Sequence, residues 1–123
     1  MRAFVTGNLV RDPELKFTNN GKAVCSVAVA DNYRPNKEAE EEVTYVKLVI
    51  WGTLAENVAN SMHKGQRVLA EGRLRERTWE GEHGTRREME LIVDSMGPDL
   101  RWQSVTVQKA TTPRPAVSEE DPF

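Results

Sequence analysis

The sequence predicts an all-β domain with one helix, and three observations carry that prediction. Five short runs rich in β-type residues are separated by turn signals. The best of them, residues 44–51, puts Val46, Leu48 and Ile50 on one face as an unbroken aliphatic set. Only residues 53–64 show a helical period.

Residues 3–9 form the first predicted strand, stopped by Asp12-Pro13. Asn19-Asn20-Gly21 marks a turn, and residues 23–30 (AVCSVAVA) form the second strand. Residues 31–43 are polar, contain Pro35 and four glutamates, and read as a long connection. Residues 44–51 are the third strand, broken by Gly52. In the helix, Thr53 and Glu56 make a capping box, and Leu54, Val58 and Met62 give an apolar stripe. Gly65 is placed to stop it. Residues 67–77 are the fourth strand, residues 79–84 a hairpin tip, and residues 85–95 the returning strand. Gly97-Pro98 is expected to turn the chain into one added strand over residues 100–107. Five strands with one helix after the third is the element order of an OB-fold, a five-stranded Greek-key barrel.

The chain has 123 residues, enough for one domain. Residues 1–109 are the expected domain, and residues 110–123, with three prolines and no period, the expected disordered acidic tail. The net charge of −2 divides the same way. Residues 1–109 carry sixteen bases and sixteen acids, and Glu119, Glu120 and Asp121 outweigh Arg114 beyond them. Glu38, Glu40, Glu41 and Glu42 mask a basic remainder. This balance excludes a polycationic coat. No run approaches the length of a membrane span, and one cysteine excludes an internal disulfide and a thiolate zinc site. A protein of a reducing cytoplasm is the simplest reading. Cys25, in an apolar strand, reads as a small buried hydrophobe.

On the third strand Val46, Leu48 and Ile50 make a core face, leaving Tyr45, Lys47, Val49 and Trp51 on the other. Two exposed aromatics and a cation suit a partner with flat bases and phosphates. Cross-strand packing under the long loop accounts for them equally well. Arg73, Arg75, Arg77 and Trp79 share one face of the fourth strand, either as a groove leading to a stacking platform or as a charged, solvated edge. Tyr33 and Arg34 open the polar loop and could extend that surface. Phe4 and Phe17 are expected inside or against a neighbour, and Trp102 in the core or a subunit contact. His63 and His83 stand apart, and no phosphate-cradling glycine loop, nucleophile elbow or metal-ligand cluster is present, so no catalytic residue, metal or cofactor is expected.

The segments FVTGNLVRDPELKF, AVCSVAVADNYR, YVKLVIWGTLAENVANSMHKGQRVLAEGRLRERTW and the final EEDPF together resemble the bacterial single-stranded DNA-binding proteins. The resemblance covers roughly residues 3–108. It implies an OB-fold homotetramer that binds single-stranded DNA with little sequence preference in replication, recombination and repair, cytoplasmic and nucleoid-associated. It implies base stacking by Tyr33, Tyr45, Trp51 and Trp79, and phosphate contacts by Lys47, Arg75 and Arg77. Residues 100–107 are similar to a subunit-clamping segment of actinobacterial members. The tip Glu119, Glu120, Asp121, Pro122 and Phe123 implies docking on replication and repair proteins. Its short tail also fits a secondary member of the family. The rival readings are an RNA-binding or primosome accessory OB-fold and a protein-interaction adaptor.

Overall fold

A computed structural model describes residues 1–110. The domain boundary near residue 109 and the tail tip therefore fall at the edge of, or outside, the described residues. In chain order the elements are β1 (Arg2–Leu9), β2 (Leu15–Phe17), β3 (Ala23–Tyr33), β4 (Glu42–Trp51), α1 (Gly52–Ser61), β5 (Arg67–Gly81) and β6 (Gly84–Pro98).

Five of these strands close a ring. The sheet order is β1-β5-β6-β4-β3, and β1 pairs back to β3. β1 does this by serving two partners: Arg2 to Asn8 pair with β5, while Asn8 and Leu9 pair with Ala30 and Val29 of β3. Gly7 sits at the changeover, where a Cβ would lie 2.8 Å from the Ala30 carbonyl oxygen. A side chain there would push the two strands apart and open the ring. β4 and β6 run parallel, and the other pairings are antiparallel. This closed Greek-key ring is an OB-fold barrel.

The inward side chains make one core. Leu9, Val27, Val29, Leu48, Ile50, Val68 and Leu91 are fully buried, with Ala55, Val58 and Met62 joining from α1 and its C-terminal edge. Cys25 is buried among them, and burial pushes its thiol pKa up, so it stays a neutral thiol. The ladder of β5 and β6 slips by one residue between Glu71 and Gly72. A Cβ on Gly72 would stand 2.0 Å from the Ile92 carbonyl oxygen, so the strands cross at a distance only glycine permits.

Four expectations are corrected. The capping box does not form: extended Trp51 occupies the cap with no side-chain hydrogen bond, and Thr53 already lies inside the helix. The helix stops at Ser61, because Met62 turns extended to bury its side chain. The Lys64 N–H then donates to Asp12 Oδ1 at 2.7 Å and the Gly65 N–H to the Leu9 carbonyl at 2.7 Å. Gly97 and Pro98 do not turn the chain but continue β6, paired with Leu69 and Val68. Residues 100–107 form no strand, since among the described residues no backbone ladder receives them. Instead Val105 and Val107 line a groove with Leu54, Val58 and Met96.

The segment after β6 is anchored by side chains. Arg67 Nε donates to Asp99 Oδ2 at 2.8 Å, and Gln103 Nε2 donates to the carbonyls of Arg67 (2.8 Å) and Asp99 (2.6 Å). The N–H of Arg101 and the guanidinium of Arg67 hold the Asp99 carboxyl below its usual pKa. Trp102 is not in the core. It is 70% exposed, with the Arg67 and Arg101 guanidiniums 5.3 and 4.7 Å from its ring centroid. Phe4 and Phe17 are likewise outside the core of this chain, at 67% and 61% exposure.

Candidate nucleic-acid interface

Ladder register places the two sequence-marked faces on one surface. Lys47 of β4 lies opposite Glu90 of β6, which lies opposite Arg75 of β5. The next row is Val49, Ile92 and Arg73. Residues side by side in a ladder point to the same face. Tyr45, Lys47, Val49 and Trp51 therefore share the barrel's outer face with Arg73, Arg75, Arg77 and Trp79, with β6 between them.

Beside β4 the face is low. Ser26, Ala28 and Ala30 of β3 lie opposite Val49, Lys47 and Tyr45, so their small side chains leave a trough flanked by Tyr45 and Lys47. Arg11 lines that trough, its Nη2 fixed by donation to the Ser26 carbonyl at 2.7 Å. Trp51 and Trp79 stand at opposite ends of the face, 44% and 41% exposed.

β5 and β6 continue past the barrel as a two-stranded arm, paired as far as Gly81 and Gly84. Trp79 lies on this arm, opposite Arg86, rather than in a hairpin tip. The Arg77 guanidinium sits 5.8 Å from the Trp79 ring centroid, placing a cation beside the platform. β3 and β4 form a second, shorter arm. Tyr33 is its last paired residue, opposite Glu42, and so belongs to the strand rather than the loop. By register Tyr33 lies on the face opposite Tyr45, so the two rings are not on one surface within the ladder.

Charge is distributed unevenly. Arg75 Nε is 3.0 Å from Glu90 Oε1, and Glu90 is only 5% exposed. A buried carboxylate needs a cation, so part of the Arg75 charge is committed to the fold. Arg34 is held 3.6 Å from Glu41, which also accepts from Asn32 Nδ2. Among the described residues Lys47, Arg73 and Arg77 have no ion-pair partner.

Sequence reading passed over Arg11, Lys16 and Lys22, which the fold brings to the margins of this face. The three-residue β2 is too short to show a period, so its position could come only from pairing with β3. Among the described residues no three His, Cys, Asp or Glu side chains gather as metal ligands, and no helix is long and apolar enough to cross a membrane.

A closed barrel with an open face of aromatics and cations defines the OB-fold class of oligomer-binding domains. Residues 1–99 match the model of the single-strand binding protein family, and the chain belongs to that family. It is 41% identical over 111 residues to the single-stranded DNA-binding protein of Paenarthrobacter nicotinovorans, covering 85% of this chain and 65% of that one. It is 39% identical over 116 residues to that of Corynebacterium glutamicum, covering 89% and 51%. To that of Mycolicibacterium smegmatis it is 41% identical over 113 residues, covering 87% and 68%. The chain thus spans between half and about two thirds of the length of these curated relatives.

Proposed function

We propose that the protein binds single-stranded DNA with little sequence preference and without catalysis, protecting it in replication, recombination and repair. The observation that carries this reading is the single outer face that joins Tyr45 and Trp51 to Lys47, Arg73 and Trp79. Stacking on each aromatic contributes roughly 1–3 kcal/mol per base and ignores base identity. The cations neutralise phosphates and release counterions. Duplex binds poorly, because its bases are already stacked on one another. Tyr33, on the other side of its arm, receives the strand where it wraps the arm's edge. Arg34 and Arg75, each held by a glutamate, orient rather than dominate the phosphate contacts.

The functional unit in this reading is a homotetramer, cytoplasmic and nucleoid-associated. The exposed apolar side chains of Leu100, Val105 and Val107 support a role for that segment against a second copy, despite its lack of a strand in this chain. The tip at Glu119, Glu120, Asp121, Pro122 and Phe123 recruits replication and repair proteins. It lies outside the described residues.

The test is quenching of tryptophan emission by oligo-dT at two salt concentrations, with light scattering for assembly state. Strong quenching that weakens with salt is expected, with a slope of about −0.7 per phosphate neutralised. No quenching at low salt refutes the reading and favours the adaptor. Preference for matched U oligomers in competition favours the RNA-binding accessory.

A further inference from the structure

Among the described residues Glu90 is the one charged residue that is buried, and it stands in the middle of the sheet face. Register puts it on the outer side of β6, between Lys47 of β4 and Arg75 of β5. Folding alone does not call for an acid there. Ile92 fills the next outward position of the same strand, and a buried ion pair is commonly no more stable than apolar residues of similar size. A negative charge beneath a face of cations also works against phosphate binding. Pairing on this face is selective. Arg77 lies opposite Glu88 as Arg75 lies opposite Glu90, yet no ion pair joins Arg77 to Glu88 among the described residues, and the Arg77 guanidinium sits by the Trp79 ring instead. Arg75 Nε stands 3.0 Å from Glu90 Oε1, with side-chain exposures of 57% and 7%. The contact is thus made at the stem end of the guanidinium, while more than half of the Arg75 side chain stays open to solvent. A guanidinium carries five N–H donors in a rigid fork, so the two terminal amino groups remain for a partner outside the sheet.

We propose that Glu90 is a positioning residue for the single strand: it anchors Arg75 through Nε and so sets where the terminal amino groups meet a phosphate. This role rests on the single-stranded DNA reading and adds to it a residue that touches no DNA. An arginine that is free in the unbound protein loses rotamer freedom when it binds, and a prior anchor removes that cost from the binding step. The terminal amino edge still offers two parallel N–H groups, which match a pair of phosphate oxygens. Lys47 and Arg73, without an ion-pair partner among the described residues, supply charge, and Arg75 supplies direction.

The test is a double-mutant cycle on the full chain, read by oligo-dT quenching of tryptophan emission, with thermal unfolding and light scattering on every variant. Glu90→Met removes the charge and keeps the bulk, and Glu90→Ala is the second variant should the first fold poorly. Either is expected to weaken dT binding about two- to twelvefold, the range for ordering one long side chain on binding, although an acid has left the face. In an Arg75→Ala background the same substitution is expected to strengthen binding, because only repulsion is then left to lose. Glu88→Gln, which removes an acid with no ion-pair partner among the described residues, is expected to strengthen binding and sets the size of plain repulsion. A gain at Glu90 in both backgrounds makes it a repelling charge and overturns the proposal. A loss in both makes it a structural residue and overturns the proposal equally. Either result, in a protein that binds dT, leaves the sheet face standing. If the unaltered protein does not bind dT, the single-strand reading falls and this role falls with it.

Discussion

The two halves of β5 obey different rules. From Arg67 to Gly72 half-buried and buried residues alternate, because one face of the strand closes the barrel over Val68, Ala70 and Gly72. From Arg75 to Glu80 every residue is exposed, because the strand has left the barrel and pairs only with β6. The first half is held by packing and the second by a two-stranded ladder. Packing residues of the barrel should therefore control stability, and the face and arm should control binding with little effect on folding.

The largest effect expected on the barrel side comes from Leu48→Ala. Leu48 is fully buried on β4, and such truncations cost about 2–5 kcal/mol. Denaturant unfolding should show that loss, with dT affinity per folded molecule unchanged. A direct loss of affinity in the folded variant would break the division. On the other side, Trp51→Ala and Trp79→Ala should each weaken oligo-dT binding by roughly 1–3 kcal/mol, against a Trp102→Ala control. Their melting temperatures should stay close to that of the parent. Equal, near-zero effects on binding would remove Trp51 and Trp79 from the site.

The smallest effect concerns the segment after β6, which belongs to neither regime. The pKa of Asp99 is lowered in the fold, so its contribution is complete above 3.8, the value of a free aspartate. That contribution is lost as pH falls through the lowered value and the carboxyl protonates. Trp102 emission in a Trp51→Phe, Trp79→Phe background should shift over that acid range. In Asp99→Asn the shift should be absent, and a shift that persists would detach Trp102 from this clasp.

Much of the barrel half was legible in the sequence. Val46, Leu48 and Ile50 alternate with Tyr45, Lys47 and Trp51, and that period alone assigns core and outer face. The arm was less legible. Residues 75–77 read correctly as strand, but Trp79-Glu80-Gly81 has no apolar alternation and ends in glycine, so nothing local distinguishes a paired strand from a hairpin tip there. The converse error occurred at Val105-Thr106-Val107, which has strand-like residues but no ladder to join. Thr53 and Glu56 have the spacing of a capping box, but the entry of the helix from β4 through Trp51 and Gly52 puts Thr53 two positions past the cap.

The acid–base balance shows the same boundary between local and non-local information. Sequence counting found sixteen bases against sixteen acids in residues 1–109, and the fold decided which of them cancel. Glu90 neutralises Arg75 from a buried site, although fifteen positions separate them in the chain. Among the described residues Lys47 and Arg73 lie on the same face without such a partner. By itself the sequence determined the strand faces, the single helix and the candidate aromatics, because each depends on side-chain period and residue type within a few positions. Only the tertiary structure decided the ring closure through β1, the union of the β4 and β5 faces, and the placement of Lys16 on the Trp51 side. Those depend on pairings between distant segments, which hydrogen-bond register and core packing select together.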